Sequence, residues 1–162
     1  MTRSNAREIA VHLIFALGFE NCSAQELLDS QLTRQRFQEL AEDLPLYEQF
    51  PNEKQRKYIT DLVQGVFAHG AELDDYISQY AVGWSFARIP RMAAAIMRTA
   101  MYEVLYMPEI PNAAAINEAV EIAKNYEPQE VVSFVNGILG SFVRAEFADT
   151  PPKPEKKTDS EA

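Results

Sequence analysis

Apolar residues recur along most of the chain at the three- and four-residue spacing of an α-helix, and no segment shows the strict alternation of a strand. In the first segment Ala6, Ala10, Leu13 and Leu17 form one stripe with Ile9 and Ile14 beside it, which predicts a helix from about Ser4 to Phe19 capped by Ser4 or Asn5. Ser23 followed by Glu26 is a capping-box pattern and opens a second helix, expected to run through Leu27, Leu28, Leu32, Phe37 and Leu40 to about Leu44. Pro45 and Pro51 bracket a loop around Tyr47 and Phe50. A third helix is predicted from about Glu53 to His69, with Tyr58, Leu62, Val63, Val66 and Phe67 inward and Gly70 as its stop, and a fourth from about Ala71 to Tyr80.

Gly83-Trp84-Ser85 breaks the pattern, and Pro90 suits the first turn of a fifth helix, where a missing N–H costs nothing. That helix carries a wide apolar stripe of Met92, Ile96, Met97, Ala100, Met101, Val104 and Leu105, and Pro108 and Pro111 end it. Asn112 is the expected N-cap of a sixth helix reaching Tyr126 through Ile116, Val120 and Ala123. Pro128 opens a seventh, with Val131, Phe134, Val135, Ile138, Leu139 and Phe142 inward, ending near Phe147. The expectation is an all-α protein of about seven helices in one compact domain over residues 1–148. Residues 149–162 hold three prolines, mixed charge and no aliphatic side chain larger than Ala, so they bury too little to offset the entropy of ordering and read as a disordered tail.

Composition supports this outline. The 162 residues suit one domain, and 47% hydrophobic residues suffice for a core. One cysteine, Cys22, leaves no internal disulfide, and the only histidines, His12 and His69, stand far apart with no metal-ligand spacing. No apolar run approaches the ~18–20 residues of a membrane span, and the N-terminus reads as an amphipathic helix rather than a signal peptide. The expected location is cytoplasmic, with Cys22 reduced. A net charge of −9 argues against a broad basic face that coats nucleic acid; any such contact must be a small patch.

Catalytic patterns are missing. There is no nucleophile elbow and no Gly-rich phosphate loop, Cys22 has no local histidine, and Asp74-Asp75, adjacent on a helix, point in different directions and read as solvated surface. The expectation is a protein with no catalytic residues, no metal and no cofactor. Arg3, Arg7 and the α-amino group gather at the start of the first helix, where free N–H groups also attract phosphate; ordinary exposed arginine is the plainer reading.

The more specific patterns lie in the second half: Trp84 followed by Arg88; Ile96-Met97-Arg98-Thr99-Ala100-Met101-Tyr102-Glu103; Ile116-Asn117-Glu118-Ala119-Val120-Glu121-Ile122-Ala123-Lys124; and Phe134-Val135-Asn136-Gly137-Ile138-Leu139. With Ala6-Arg7-Glu8 and the Tyr58…Leu62-Val63…Gly65-Val66 segment, they make residues 3–145 resemble the NusB transcription antitermination factor family. The resemblance implies two packed three-helix subbundles and a non-enzymatic protein that binds boxA-type single-stranded RNA with ribosomal protein NusE, supporting processive transcription of ribosomal RNA operons by the RNA polymerase complex. It also implies that a homodimer can mask the RNA surface. At Phe134 it implies base stacking, worth ~1–3 kcal/mol per base, whereas the helical spacing equally permits a core ring. Arg3, Arg7 and Lys124 are the expected phosphate contacts, although Lys124 can instead neutralise the end of its own helix.

Other positions carry structural expectations. Arg98 is expected to pair with Glu118 or Glu121 rather than touch RNA. Gly137, mid-helix, is expected to admit another helix closely, and Asn136 to bond a neighbouring helix end. Thr2, Ser4 and Asn5 interrupt the arginine run of many family members, so phosphate neutralisation should be weaker and reliance on a partner greater. Ala93-Ala94-Ala95 replaces a frequent charged pair and removes possible polar contacts to NusE. Two other readings remain: an interaction scaffold without RNA, and an accessory domain of an RNA methyltransferase.

Overall fold

The computed structural model describes residues 1–148 and Lys153. Among the described residues are eight α-helices, two single turns of 3-10 helix (Pro45–Tyr47 and Phe86–Arg88) and no strand. The helices are α1 (Arg3–Leu17), α2 (Ala24–Gln31), α3 (Arg34–Ala41), α4 (Glu53–Ala68), α5 (Gly70–Tyr80), α6 (Arg91–Tyr106), α7 (Asn112–Tyr126) and α8 (Gln129–Glu146).

The additional helix comes from the segment expected to be one helix from Ser23 to Leu44. The capping box at its start is present: Ser23 Oγ accepts from the Glu26 amide and Glu26 Oε1 accepts from the Ser23 amide. At Leu32 the backbone leaves helical geometry (φ −90°, ψ 61°), and Thr33 is extended. The Thr33 hydroxyl accepts from the Arg36 amide at 3.1 Å and starts a new helix. A threonine hydroxyl inside an apolar period competes with the backbone ladder, and here it wins as a cap.

The described chain falls into two compact helical units, one of Met1–Phe67 and the other from Ala68 onward. The N-terminal unit buries Ile9, Ala10 and Leu13 of α1, Leu27 and Leu28 of α2, Phe37 of α3, and Ile59, Leu62 and Val63 of α4. Each large apolar side chain enclosed in this way contributes about 1.5–3 kcal/mol. The loop after α3 is packed as well, since Phe37 meets Tyr47 and Phe50 edge-on at centroid distances of 4.9 and 5.1 Å. Phe67, expected inward, is exposed: the stripe of α4 ends on Val66, and the next residue turns about 100° away from it. Gly70 does not stop α4, which ends at Ala68; it is the first residue of α5.

The C-terminal unit is built around α6, which packs against α5, α7 and α8. Ala93, Ala94 and Ala95 are core residues of this unit, so their small side chains serve helix packing rather than a missing surface contact. Pro90, Pro111 and Pro128 each stand immediately before a helix. Asn112 is therefore not the N-cap of α7 but its first helical residue, because Pro111 already holds the extended flanking backbone (φ −60°, ψ 141°).

Arg98 pairs with Asp74 of α5, Nε to Oδ1 at 2.6 Å, and not with Glu118 or Glu121 of α7. The sequence calls for an ion pair at Arg98 but does not identify the helix that supplies its partner, because which helix lies against the Arg98 side of α6 is a tertiary fact. Gly137 is exposed, and a Cβ there would meet nothing within 4 Å, so no helix approaches it. Asn136 is exposed too and bonds no helix end among the described residues. The expected disordered tail, residues 149–162, lies outside the described residues apart from Lys153. That amine donates to the carbonyls of Glu103 at 3.0 Å and Met107 at 3.2 Å, at the end of α6. Burial pushes its pKa down from the ordinary lysine value.

Candidate nucleic-acid interface

The two units place their cations differently, and each is described on its own. In the N-terminal unit the first residues are fastened to α4. Gln55, buried, donates from Nε2 to the Met1 carbonyl at 2.7 Å and accepts at Oε1 from the Asn52 amide at 2.8 Å. The cap of α1 is Thr2, whose hydroxyl accepts from the Asn5 amide at 3.0 Å, rather than Ser4 or Asn5. This start brings both arginines to one ring. The Arg3 guanidinium lies 4.5 Å from the Tyr58 centroid and that of Arg7 lies 5.9 Å from it, cation–π geometry in both cases. Their exposure differs: Arg3 is half-buried, whereas Arg7 is only 3% exposed. A guanidinium at that depth supports Tyr58 from within the fold, and Arg3 is the arginine that solvent reaches.

In the C-terminal unit Lys124 lies in the last turn of α7, its amine 2.8 Å from Glu121 Oε1, with the side chains 52% and 66% exposed. An exposed pair of this kind contributes about 0–1 kcal/mol, so the amine can exchange its carboxylate for a phosphate at little cost.

Phe134 is half-buried on α8, neither sealed in the core nor fully free. Its ring stacks in a tilted manner on Trp84, with centroids 4.5 Å apart and planes at 38°. Trp84 comes from the segment between α5 and α6, immediately after Gly83, whose φ of +84° makes the turn that a side chain would oppose. Two and three residues beyond Phe134, Asn136 and Gly137 are exposed. In the sequence Trp84 belongs to a family pattern without an assigned role; its signal is a lone tryptophan directly after a glycine in a break between helices.

Among the described residues no group of three or more His, Cys, Asp or Glu side chains could hold a metal ion, and no helix is long and apolar enough to cross a membrane. His12 shares a 2.6 Å hydrogen bond with Tyr47 in the N-terminal unit. His69 lies against Tyr106 in the C-terminal unit, with ring centroids 4.2 Å apart. Both imidazoles thus have structural neighbours. The Cys22 thiol is pushed up by desolvation and by the charges of Glu20 and Glu26, the reverse of what activates a nucleophile.

A family model described as the NusB family matches residues 4–144. Transcription antitermination protein NusB of Acetivibrio thermocellus is 40% identical over 91% of this chain and 92% of its own length. The protein of the same name from Symbiobacterium thermophilum is 34% identical over 89% of this chain and 90% of its own. Among solved structures, NusB of T. maritima superposes with a TM-score of 0.73 at 26% identity, covering 89% of this chain and 92% of that one. A structure of antitermination factors NusB and NusE in complex with dsRNA shares the fold, with a TM-score of 0.69 at 21% identity and coverage of 88% and 96%. The helical units, the Phe134 segment and the match across residues 4–144 lead to one assignment: the chain belongs to the NusB family.

Proposed function

We propose that this protein is a transcription antitermination factor that binds boxA-type single-stranded RNA together with ribosomal protein NusE and catalyses no reaction. The observation that carries the reading is Phe134: a ring held half-exposed on α8, with the open surface of Gly137 three residues on. Unpaired RNA offers splayed bases to such a ring, whereas a duplex hides them. In the N-terminal unit Arg3 takes a phosphate, and Arg7 holds Tyr58, the ring against which Arg3 rests. In the C-terminal unit Lys124 takes a phosphate by leaving Glu121.

A chain of net charge −9 gains from a basic partner, which is the part given to NusE. The assembly acts on RNA as the polymerase complex releases it, so the working compartment is the cytoplasm. A homodimer that covers the RNA surface is the resting form in this scheme. Fluorescence anisotropy of a labelled boxA-type RNA, with and without NusE, tests the reading. Tighter binding than to a scrambled RNA is expected, strongest with NusE. Equal binding of both RNAs under both conditions rejects it and leaves an interaction scaffold.

A further inference from the structure

We infer that Trp84 is a second ring of the RNA contact, so that an unpaired nucleobase is held by the Trp84–Phe134 pair and not by Phe134 alone. The inference rests on the proposed RNA-binding function and adds a residue to it.

Four features of the structure support it. The two rings touch at 4.5 Å between centroids, with planes 38° apart, so they form one joined aromatic surface on which a base can stack rather than a gap that admits a base between them. Both are only half-buried, so the pair keeps ring surface open to solvent. The surroundings of the pair are built for access. On one side Gly83 holds a positive φ and Val82 is 89% exposed. On the other, Gly137, three residues beyond Phe134 on α8, is exposed, and a Cβ there would meet nothing within 4 Å. Finally, Trp84 is held by the chain direction on either side of it: its amide donates to the Ala81 carbonyl at 3.2 Å, and Ser85 leads directly into the turn Phe86–Arg88. A ring fixed in this way limits the motion of Phe134 before any ligand arrives, which lowers the ordering cost of stacking a base. Stacking tolerates any base, because every base has a π-face.

Trp84 is the only tryptophan in the chain, so its fluorescence reports on this contact alone. The full-length protein is titrated with a boxA-type single-stranded RNA in the presence of NusE, following anisotropy of the labelled RNA and, with a NusE variant lacking tryptophan, Trp84 emission. Binding with quenching of Trp84 is expected. Trp84→Ala should weaken binding about 5- to 150-fold, the range for loss of one stacked base, and Trp84→Phe should restore most of it. Circular dichroism and a thermal melt show whether each variant is folded, and the Phe variant keeps a ring in place should the alanine variant unfold. RNA binding that leaves Trp84 emission unchanged and is equally tight in folded Trp84→Ala overturns the inference while the RNA-binding function stands. Absence of RNA binding by the unsubstituted protein, with and without NusE, overturns both.

Discussion

Arg98 and Asp74 form an ion pair with Nε to Oδ1 at 2.6 Å, and through it α6 is tied to α5. The pair is neither buried nor free, with side chains 23% and 37% exposed. Its value therefore falls between that of a surface pair and that of a desolvated one. Asp74→Asn or Arg98→Met should destabilise the protein by about 1–2 kcal/mol, and the double substitution by less than the sum. Urea denaturation of the four proteins in a double-mutant cycle measures this. Glu121→Gln, at one of the two carboxylates that the sequence suggests for Arg98, should change stability by less than about 0.5 kcal/mol.

His12 and Tyr47 give the N-terminal unit opposite sensitivities at the two ends of the pH scale. Burial, assisted by the charge of Glu8 and opposed by Arg36, pushes the Tyr47 hydroxyl from 10.0 to about 12. The folded state thus favours the neutral phenol; its contribution is complete below pH 10.0 and is lost as pH rises toward about 12. His12 is pushed below 6.5 by burial, with Glu8 opposing. Here the folded state favours neutral imidazole, so its contribution is complete above pH 6.5 and declines as pH falls through the folded value. Thermal melts across pH should show Tyr47→Phe flattening the alkaline limb relative to the parent, and His12→Gln flattening the acid limb.

Gly137 lies inside α8 with open space around it. An alanine fits, and a helical glycine costs about 0.5–1 kcal/mol relative to alanine. Gly137→Ala should therefore raise stability by about that amount in chemical denaturation. Under the proposed function the same methyl group encroaches on the surface beyond Phe134 and should weaken RNA binding. A stabilised variant with unchanged RNA affinity would show that the RNA does not come close to this position.

Salt dependence counts the phosphate contacts. On single-stranded nucleic acid each contributes a slope of about −0.7 in log K against log salt, so Arg3 and Lys124 without NusE should give about −1.4. Arg3→Gln should remove about half of that slope. Arg7→Gln should leave the slope unchanged and lower the melting temperature, because Arg7 is buried beside Tyr58. A loss of slope in Arg7→Gln equal to that in Arg3→Gln would restore Arg7 as a direct contact.

The sequence by itself determined where helices form, because a 3.6-residue apolar period with prolines and caps between segments is a local property. Legible in it were the capping box at Ser23, the prolines before α6, α7 and α8, and the phrases that mark the family. It did not reveal the break at Leu32-Thr33, where a hydroxyl that suits either a helix interior or a cap was used as a cap. Tertiary structure alone decided which helix supplies the partner of Arg98, that Arg7 lies inside while Arg3 remains accessible, that Gly137 faces open space, and that Trp84 lies against Phe134. The physical reason is the same in each case. Periodicity tells which side of a helix is apolar, but charge pairing, ring stacking and burial depend on what other segment arrives there, and that is set by packing between residues far apart in the chain.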